Sequence, residues 1–451
     1  MREIYVKDLI RIVRGSKLLY GNMDMELSDF CKDTRVLEKD DVYVGIRGER
    51  FDGNVFFEKA IELGAKALIV DNPNLDYSKY SDKTIILVPN SVYCLQELAK
   101  YKRNLAGIPV IAITGSVGKT TTKDMIAAVL SRKYKVLKTE GNYNNEIGLP
   151  LTVLGLKDED IMVLEMGMSS FGEISLLSKI TRPTISVITT IGSSHIEYLG
   201  SRENILKAKL EILDGMDKKV LIVNNDNDLL HEYANNHDVI TVGIDNDSDY
   251  RAINISSDYS SFDIDGHISC VKNEYKNSAY LTNMLLAYAV GKMVGVSDTE
   301  FKEAIDKLSL TSKRLENIPN DKGYIIINDA YNASQESMSV ALEYLSRIES
   351  KRKIAVLGDM LELGTFSQEM HENVGNMVYK NKIDILITVG DMAKYIALGA
   401  KSSSMKEENI YSFDNNLECS NFLNKFLNKG DAIIFKASNG MKLYEIIDMI
   451  K

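Results

Sequence analysis

Short, strongly apolar runs alternate with stretches of helical periodicity along most of the chain. DVYVGIR (41–47), AKALIV (65–70) and TIILVP (84–89) read as strands, and SVYCLQELAKYKRNLAG (91–107) reads as a helix. Further on, VIAI (110–113), IMVLEM (161–166), TISVITTI (184–191) and KVLIVNN (219–225) are again strands. Residues 245–276 are polar, Ser/Asp-rich and alternating, which predicts an antiparallel excursion at a sheet edge. The helix SAYLTNMLLAYAVGKMVG (278–295) follows, then the strands YIIIND, KIAVLGD, DILITVG and AIIFKAS between helical patterns. Apolar strands separated by helices predict α/β architecture with parallel sheets covered on both faces. At 451 residues the chain has room for about three domains. We place them at 1–98 (small α/β), 99–311 (a central parallel-sheet nucleotide-binding domain) and 312–451 (a Rossmann-like α/β domain).

The sharpest chemistry sits where the strand ending at Ile113 runs through Gly115, Ser116, Val117, Gly118, Lys119, Thr120 and Thr121 into TKDMIAAVL. Glycines allow a tight turn whose successive N–H groups point at one anion. The helix N-terminus adds partial positive charge, Lys119 a full charge, and the Thr120 hydroxyl is a ligand for Mg²⁺. This predicts a nucleoside-triphosphate cradle of the short G-x-x-G-K-T-T form.

Three other candidates lie at the ends of strands, where open α/β sheets meet their ligands. Glu165 ends IMVLE and is a carboxylate suited to Mg²⁺. His195 closes ISVITTIGSSH; on position alone it is equally a structural hydrogen-bonding histidine. Asp329, Tyr331 and Asn332 follow YIIIN and suit ribose, base-stacking and ring-edge contacts, although a turn capped by Ser334 accounts for the same composition. Leu357–Gly364 with the later His371 forms a comparable loop carrying two carboxylates. Lys209 is the anomaly. The stretch from Ser201 to Gly215 reads as a capped helix, and Lys209 lies amid the stripe of Ile205, Ala208, Ile212 and Leu213. Either it snorkels to solvent, or its neutral amine reacts with CO₂ to give a carbamate that can bind Mg²⁺.

Composition narrows the partners. The net charge of −10 offers no field for nucleic acid or a membrane surface, so a nucleotide must be held by local cations and metal. No apolar run approaches the length of a membrane span, MREIYVKDLIRIVRG lacks a secretory core, and the four cysteines fall in no metal spacing. These features predict a cytoplasmic protein without membrane insertion or nucleic-acid partners.

Taken in order, TGSVGKTTT (114–122), TEGNYNNEIGLPLT (139–152), DAYNAS (329–334) and LGDMLELG (357–364) with His371 resemble the Mur ligase family over nearly the whole chain. Those ATP-dependent ligases build the peptide of peptidoglycan. The last two motifs look most like the branch that joins D-alanyl-D-alanine to UDP-N-acetylmuramoyl-tripeptide through an acyl phosphate. The resemblance implies a UDP-precursor-binding first domain contacted through Thr34, Arg35, Arg47 and the stretch Gly48, Glu49, Arg50, Phe51, Asp52, Gly53, with Asn144 and Asn145 further substrate contacts. It implies ATP held by Gly115–Thr121, Asn283, Arg314, Asp329 and Asn332. It also implies two Mg²⁺ ions at Thr120, Glu165, His195 and carbamylated Lys209, and a monomer. Asn54 stands where the family has His, and Asn439 where it has Arg. Two rivals share parts of the pattern: a sibling ligase that adds a single amino acid or glutamate, and a nucleotide switch that hydrolyses ATP to change shape.

Overall fold

The computed structural model describes residues 3–48, 51–308 and 314–451. Glu49 and Arg50 of the expected precursor-contacting stretch, and the expected domain start at Ser312, lie outside these residues. The chain divides into two compact units. One comprises residues 1–114, 133–187 and 210–221, the other 115–132, 188–209 and 222–451.

The first unit carries a five-stranded sheet in the order Lys17–Tyr20, Thr84–Leu87, Ala67–Val70, Val42–Val44, Phe30–Cys31. Its first pair is antiparallel and the rest parallel. The strands expected at 41–47, 65–70 and 84–89 are all present, shortened to their apolar centres. Leu68, Val70, Ile85, Phe57 and Ala60 pack as its core, with Phe57 edge-on to Tyr77. The helix Ser91–Ala106 is capped by the Asn90 side chain and ends at Gly107, whose φ of 63° closes the last turn. Position 98 falls inside this helix. In the same unit Val110–Thr114 pairs in parallel with Ile161–Glu165, and that strand with Val136–Lys138. All ten residues of the first two strands are buried, as their unbroken apolar runs predict.

In the second unit Leu221–Asn224, Ile240–Gly243 and Tyr250–Ile253 run in parallel. Ser261–Ile264 and Ile268–Lys272 then add antiparallel, which is the excursion expected of residues 245–276. A six-stranded sheet follows in the order Glu316–Ile318, Ile325–Asn328, Asp431–Lys436, Arg352–Gly358, Ile385–Val389, Ile410–Phe413. Only its first pair is antiparallel. Ile326, Ile354, Val356, Ile387, Ile433 and Phe435 form its core. The three central strands therefore deliver Asp329, Asp359 and Lys436 to one edge of the sheet, the edge where parallel strands end.

The expected 201–215 helix is shorter than its caps suggested. It runs Arg202–Leu210 and tightens into a 3₁₀ turn at Glu211–Leu213. The Ser201 hydroxyl accepts from the Asn204 N–H as an N-terminal cap. At the far end the Gly215 N–H donates to the Ser178 hydroxyl, which diverts the chain before the helix can continue.

Candidate functional site

The phosphate loop is shaped by its own backbone. Gly115 has φ 152°, and a Cβ there would lie 1.9 Å from the Thr189 hydroxyl oxygen, so only glycine fits. Gly118 has φ 88° and opens the helix Lys119–Leu130. The Ser116 N–H donates to the Thr190 carbonyl (2.8 Å), and the Ser116 hydroxyl accepts from the Gly192 N–H (2.9 Å). Thr189 bonds the Val117 carbonyl through its hydroxyl. Lys119 folds back so that its Nζ lies 2.8 Å from the Gly115 carbonyl, which places the ammonium across the mouth of the loop. The result is a rigid turn with a cation over it at a helix N-terminus, the arrangement that receives phosphate.

A cavity of about 190 Å³ beside the loop is lined by Val117, Gly118 and Thr121, by Asn283, and by Arg314, Asp329, Glu336 and Lys436. The structure thus brings together residues that the sequence scattered over 300 positions. Asn283 is buried and accepts from the Thr122 hydroxyl (3.1 Å). The Arg314 guanidinium donates to the Thr120 hydroxyl (3.0 Å) and stacks over the Tyr331 ring at 4.7 Å. The Asp329 carboxylate accepts from Lys436 Nζ at 2.7 Å, both side chains being largely buried. Lys436 also bonds the Asn332 carbonyl at 3.0 Å, while the Asn332 side chain accepts from the Ala333 N–H; Asn332 itself does not line this cavity. Glu336, in the first turn of the helix Gln335–Arg347, accepts from the Ser193 N–H and hydroxyl.

Sequence reading missed Lys436 and Glu336. Lys436 carried the signal that singled out Glu165, a charge ending an apolar strand. Glu336 looks like an ordinary acid in the first turn of a helix, and only the fold shows what it meets.

Lys209 is only 2 % exposed. Burial, and then the nearby charge of Lys119, pushes its amine well below the ordinary lysine value. The snorkelling alternative is therefore excluded, and burial favours the neutral amine that carbamate chemistry requires.

His195 is half-buried with φ 66°, and its Nδ1 lies 2.6 Å from Oε2 of Glu362, whose φ is 62°. That contact holds the Glu362 carboxyl below the usual carboxylate range. Among the described residues, no group of three His, Cys, Asp or Glu gathers as a metal cage. Of the residues expected to hold Mg²⁺ in the second unit, Thr120 offers an oxygen, His195 a nitrogen, and Lys209 an oxygen only once carbamylated; Mg²⁺ prefers oxygen and is bound through one or two protein oxygens together with substrate phosphates.

Glu165 belongs to the first unit, where it is 3 % exposed and accepts from the Asn144 amide at 2.9 Å. Asn145 accepts from the Gly148 N–H at the start of the next helix (2.9 Å). Thr34 is half-buried, and the exposed Arg35 forks onto Asp33 and holds that carboxyl at about 2. Arg47 bridges to Asp52, the Gly48 N–H bonds the Phe51 carbonyl, and Gly53 packs so closely on Ile46 that no Cβ fits. Asn54 is fully buried and bonds Asp52 and Asp71 with both ends of its amide. It therefore organises this loop from inside.

Comparison with known proteins agrees with this geometry. Three family models match in succession: "Mur ligase family, catalytic domain" over residues 32–103, "Mur ligase middle domain" over 113–291, and "Mur ligase, glutamate ligase domain" over 313–439. The UDP-N-acetylmuramoyl-tripeptide–D-alanyl-D-alanine ligase of Bacillus subtilis is 39 % identical over 99 % of this chain and 98 % of its own. The enzyme of the same name from Escherichia coli is 33 % identical over 88 % of each. Among solved structures, MurF from Acinetobacter baumannii superposes with a TM-score of 0.87 at 27 % identity, covering 99 % and 98 % of the two chains. MurF ligase from Thermotoga maritima in complex with ADP gives 0.79 at 30 % identity, covering 94 % and 97 %. With its α/β architecture and its phosphate loop in place, the chain belongs to the Mur ligase family.

Proposed function

We propose that the protein joins D-alanyl-D-alanine to the terminal carboxylate of UDP-N-acetylmuramoyl-tripeptide at the expense of ATP. A carboxylate is a poor acceptor for an amine, because its charge repels nucleophiles and oxide does not leave. In this reading a carboxylate oxygen of the tripeptide attacks the γ-phosphorus of ATP, giving an acyl phosphate and ADP. The dipeptide amine then forms the C–N bond as the C–O bond to phosphate breaks. The leaving phosphate takes up the proton the nitrogen sheds.

The chain's own groups contribute position and charge. Loop N–H groups and Lys119 neutralise the phosphates, Lys119 exchanging its bond to the Gly115 carbonyl for phosphate oxygens. Asn283 faces the adenine, while Lys436 fixes Asp329 for the ribose. Arg314 stands at Thr120, where the γ-phosphate arrives. Mg²⁺ held by Thr120 and Glu165, with a second ion at His195 and carbamylated Lys209, would lower the repulsion between carboxylate and γ-phosphate. In this reading residues 1–98 bind the UDP-precursor, 99–311 bind ATP and 312–451 close on it, in a monomer whose partners are small molecules. Among the described residues no helix is long and apolar enough to cross a membrane.

One observation carries the reading: Val117, Gly118 and Thr121 share a cavity with Arg314, Asp329 and Lys436. The test is a substrate panel. Phosphate release should require UDP-tripeptide and D-Ala-D-Ala together. Release with a single amino acid would favour a sibling ligase, and release with ATP alone a nucleotide switch.

A further inference from the structure

A second cavity, of about 260 Å³, opens beside His195 and is bounded by Ser194, Asn332, Glu362, Ser438, Asn439 and Gly440 among others. It is smaller than the sites that hold drug-sized ligands. Among the described residues lining it, Glu362 carries the one carboxylate, and no lysine or arginine is present. The Glu362 side chain is 45 % exposed, with Oε2 against His195.

The backbone that presents this carboxylate is clamped. The Met360 N–H donates to Nε2 of His371 (3.0 Å), and Nδ1 of His371 lies 2.6 Å from the Ser367 carbonyl. His371 is fully buried, and these two bonds together require its neutral form with the proton on Nδ1. The Leu361 N–H donates to the Ser438 hydroxyl (2.9 Å), and the Glu362 carbonyl accepts from the Glu197 N–H (3.4 Å). Glu362 is nevertheless held at φ 62°, opposite His195 at φ 66°. Two non-glycine residues in the left-handed region, in contact with one another and lining one cavity, are strain of the kind that marks working sites.

The incoming dipeptide is a zwitterion whose ammonium end must lie next to the reacting carbonyl. The cavity is correspondingly polarised. Its one anion stands at the His195 end, and neutral donors from Ser438, Asn439 and Asn332 line the rest. We propose that Glu362 receives the ammonium group of the dipeptide and, once that group has given one proton to solvent, aims the amine nitrogen at the reaction centre, with His371 as the positioning residue that locks the Glu362 loop. This inference rests on the reading of the protein as a dipeptide ligase.

The test uses the full chain and two ligands, D-Ala-D-Ala and propanoyl-D-alanine, which has the same shape without the amine. Glu362→Gln should raise KM for D-Ala-D-Ala by about tenfold or more, the size expected for losing a charge-assisted hydrogen bond. KM for ATP and the inhibition constant of propanoyl-D-alanine should stay unchanged. Glu362→Asp should restore part of the loss, and His371→Gln should raise KM for the dipeptide without moving KM for ATP. A Glu362→Gln enzyme with unaltered KM for the dipeptide, or one that weakens both ligands equally, would overturn the assignment while leaving the ligase reading intact. A wild-type enzyme whose phosphate release ignores the dipeptide would overturn both.

Discussion

The loop Gly115–Lys119 keeps its shape through its own backbone: two glycines at positive φ, and a lysine bonded to a carbonyl four residues earlier. The loop Met360–Leu363 is held from outside, by an imidazole at 371, a hydroxyl at 438 and a backbone N–H at 197. Both present polar groups to a cavity of the second unit. The first is largely a local device, a contiguous stretch with bonds to residues 189–192 beside it. The second exists only once the rest of the unit has folded. A backbone-built site should fail when a Cβ is added and a strut-built one when a strut is removed, and the two kinds of failure should look different in stability and in kinetics.

The largest effect should come from the cation of the backbone-built loop. Lys119→Ala should lower kcat by about 10³-fold, the scale for removing a preorganised charge from a phosphoryl or acyl-transfer site, with little change in melting temperature. Near-normal turnover would remove the loop from the mechanism. Gly115→Ala puts a methyl group against Thr189 in a conformation that alanine resists, which at about 3 kcal/mol weakens ADP binding about 100-fold. Calorimetry with ADP and Mg²⁺ checks this, and binding unchanged from wild type would mean the loop yields without cost.

Lys209→Met separates function from stability. Turnover should fall by about 100-fold if the carbamate holds metal, as loss of a metal-orienting group does. Thermal stability should rise, because an amine that prefers to be neutral is exchanged for an apolar chain. The sign follows from the depressed folded value: between that value and the ordinary lysine value the unfolded lysine takes up a proton that the folded one does not, so lowering the pH through this window favours unfolding. Intact mass of wild-type enzyme with and without bicarbonate should differ by one CO₂. Identical masses together with identical activities would end the carbamate proposal.

The smallest effect concerns the strut. Burial lowers the His371 imidazole below the ordinary histidine value. Its contribution to stability is therefore complete above that value and declines as pH falls toward the folded one, because the unfolded state takes up the proton first. Melting curves should show wild type losing stability on acidification through this range, and His371→Gln losing about 1 kcal/mol less. Parallel pH profiles for the two proteins would show that the histidine is not clamped as a neutral acceptor.

The same contrast explains what was legible in the sequence. Gly115 to Thr122 could be read because their chemistry is contiguous, and Glu165 and Asp329 because an apolar strand that ends in a charge points to the ligand edge of a sheet. Lys209 could be read as a misfit on an apolar stripe, although only its burial decided between its two fates. Residues whose task depends on partners far along the chain could at most be noticed, Glu362 as one of a loop's two carboxylates and Asn54 as a departure from the family pattern, and Glu336 not at all. Glu336 reaches Ser193, Glu362 reaches His195, and Asn54 serves as the hub of a loop. Asn145, expected at the substrate, also accepts from the Gly148 N–H at the start of the next helix, a contact that only the fold shows.

The account turns on transfer of the γ-phosphoryl group to the acceptor carboxylate before the amine attacks. The direct test is turnover of UDP-N-acetylmuramoyl-tripeptide carrying ¹⁸O in its terminal carboxylate, with ATP and D-Ala-D-Ala, followed by mass analysis of the phosphate released. An acyl-phosphate route leaves one ¹⁸O atom in each phosphate formed; phosphate free of ¹⁸O would contradict it.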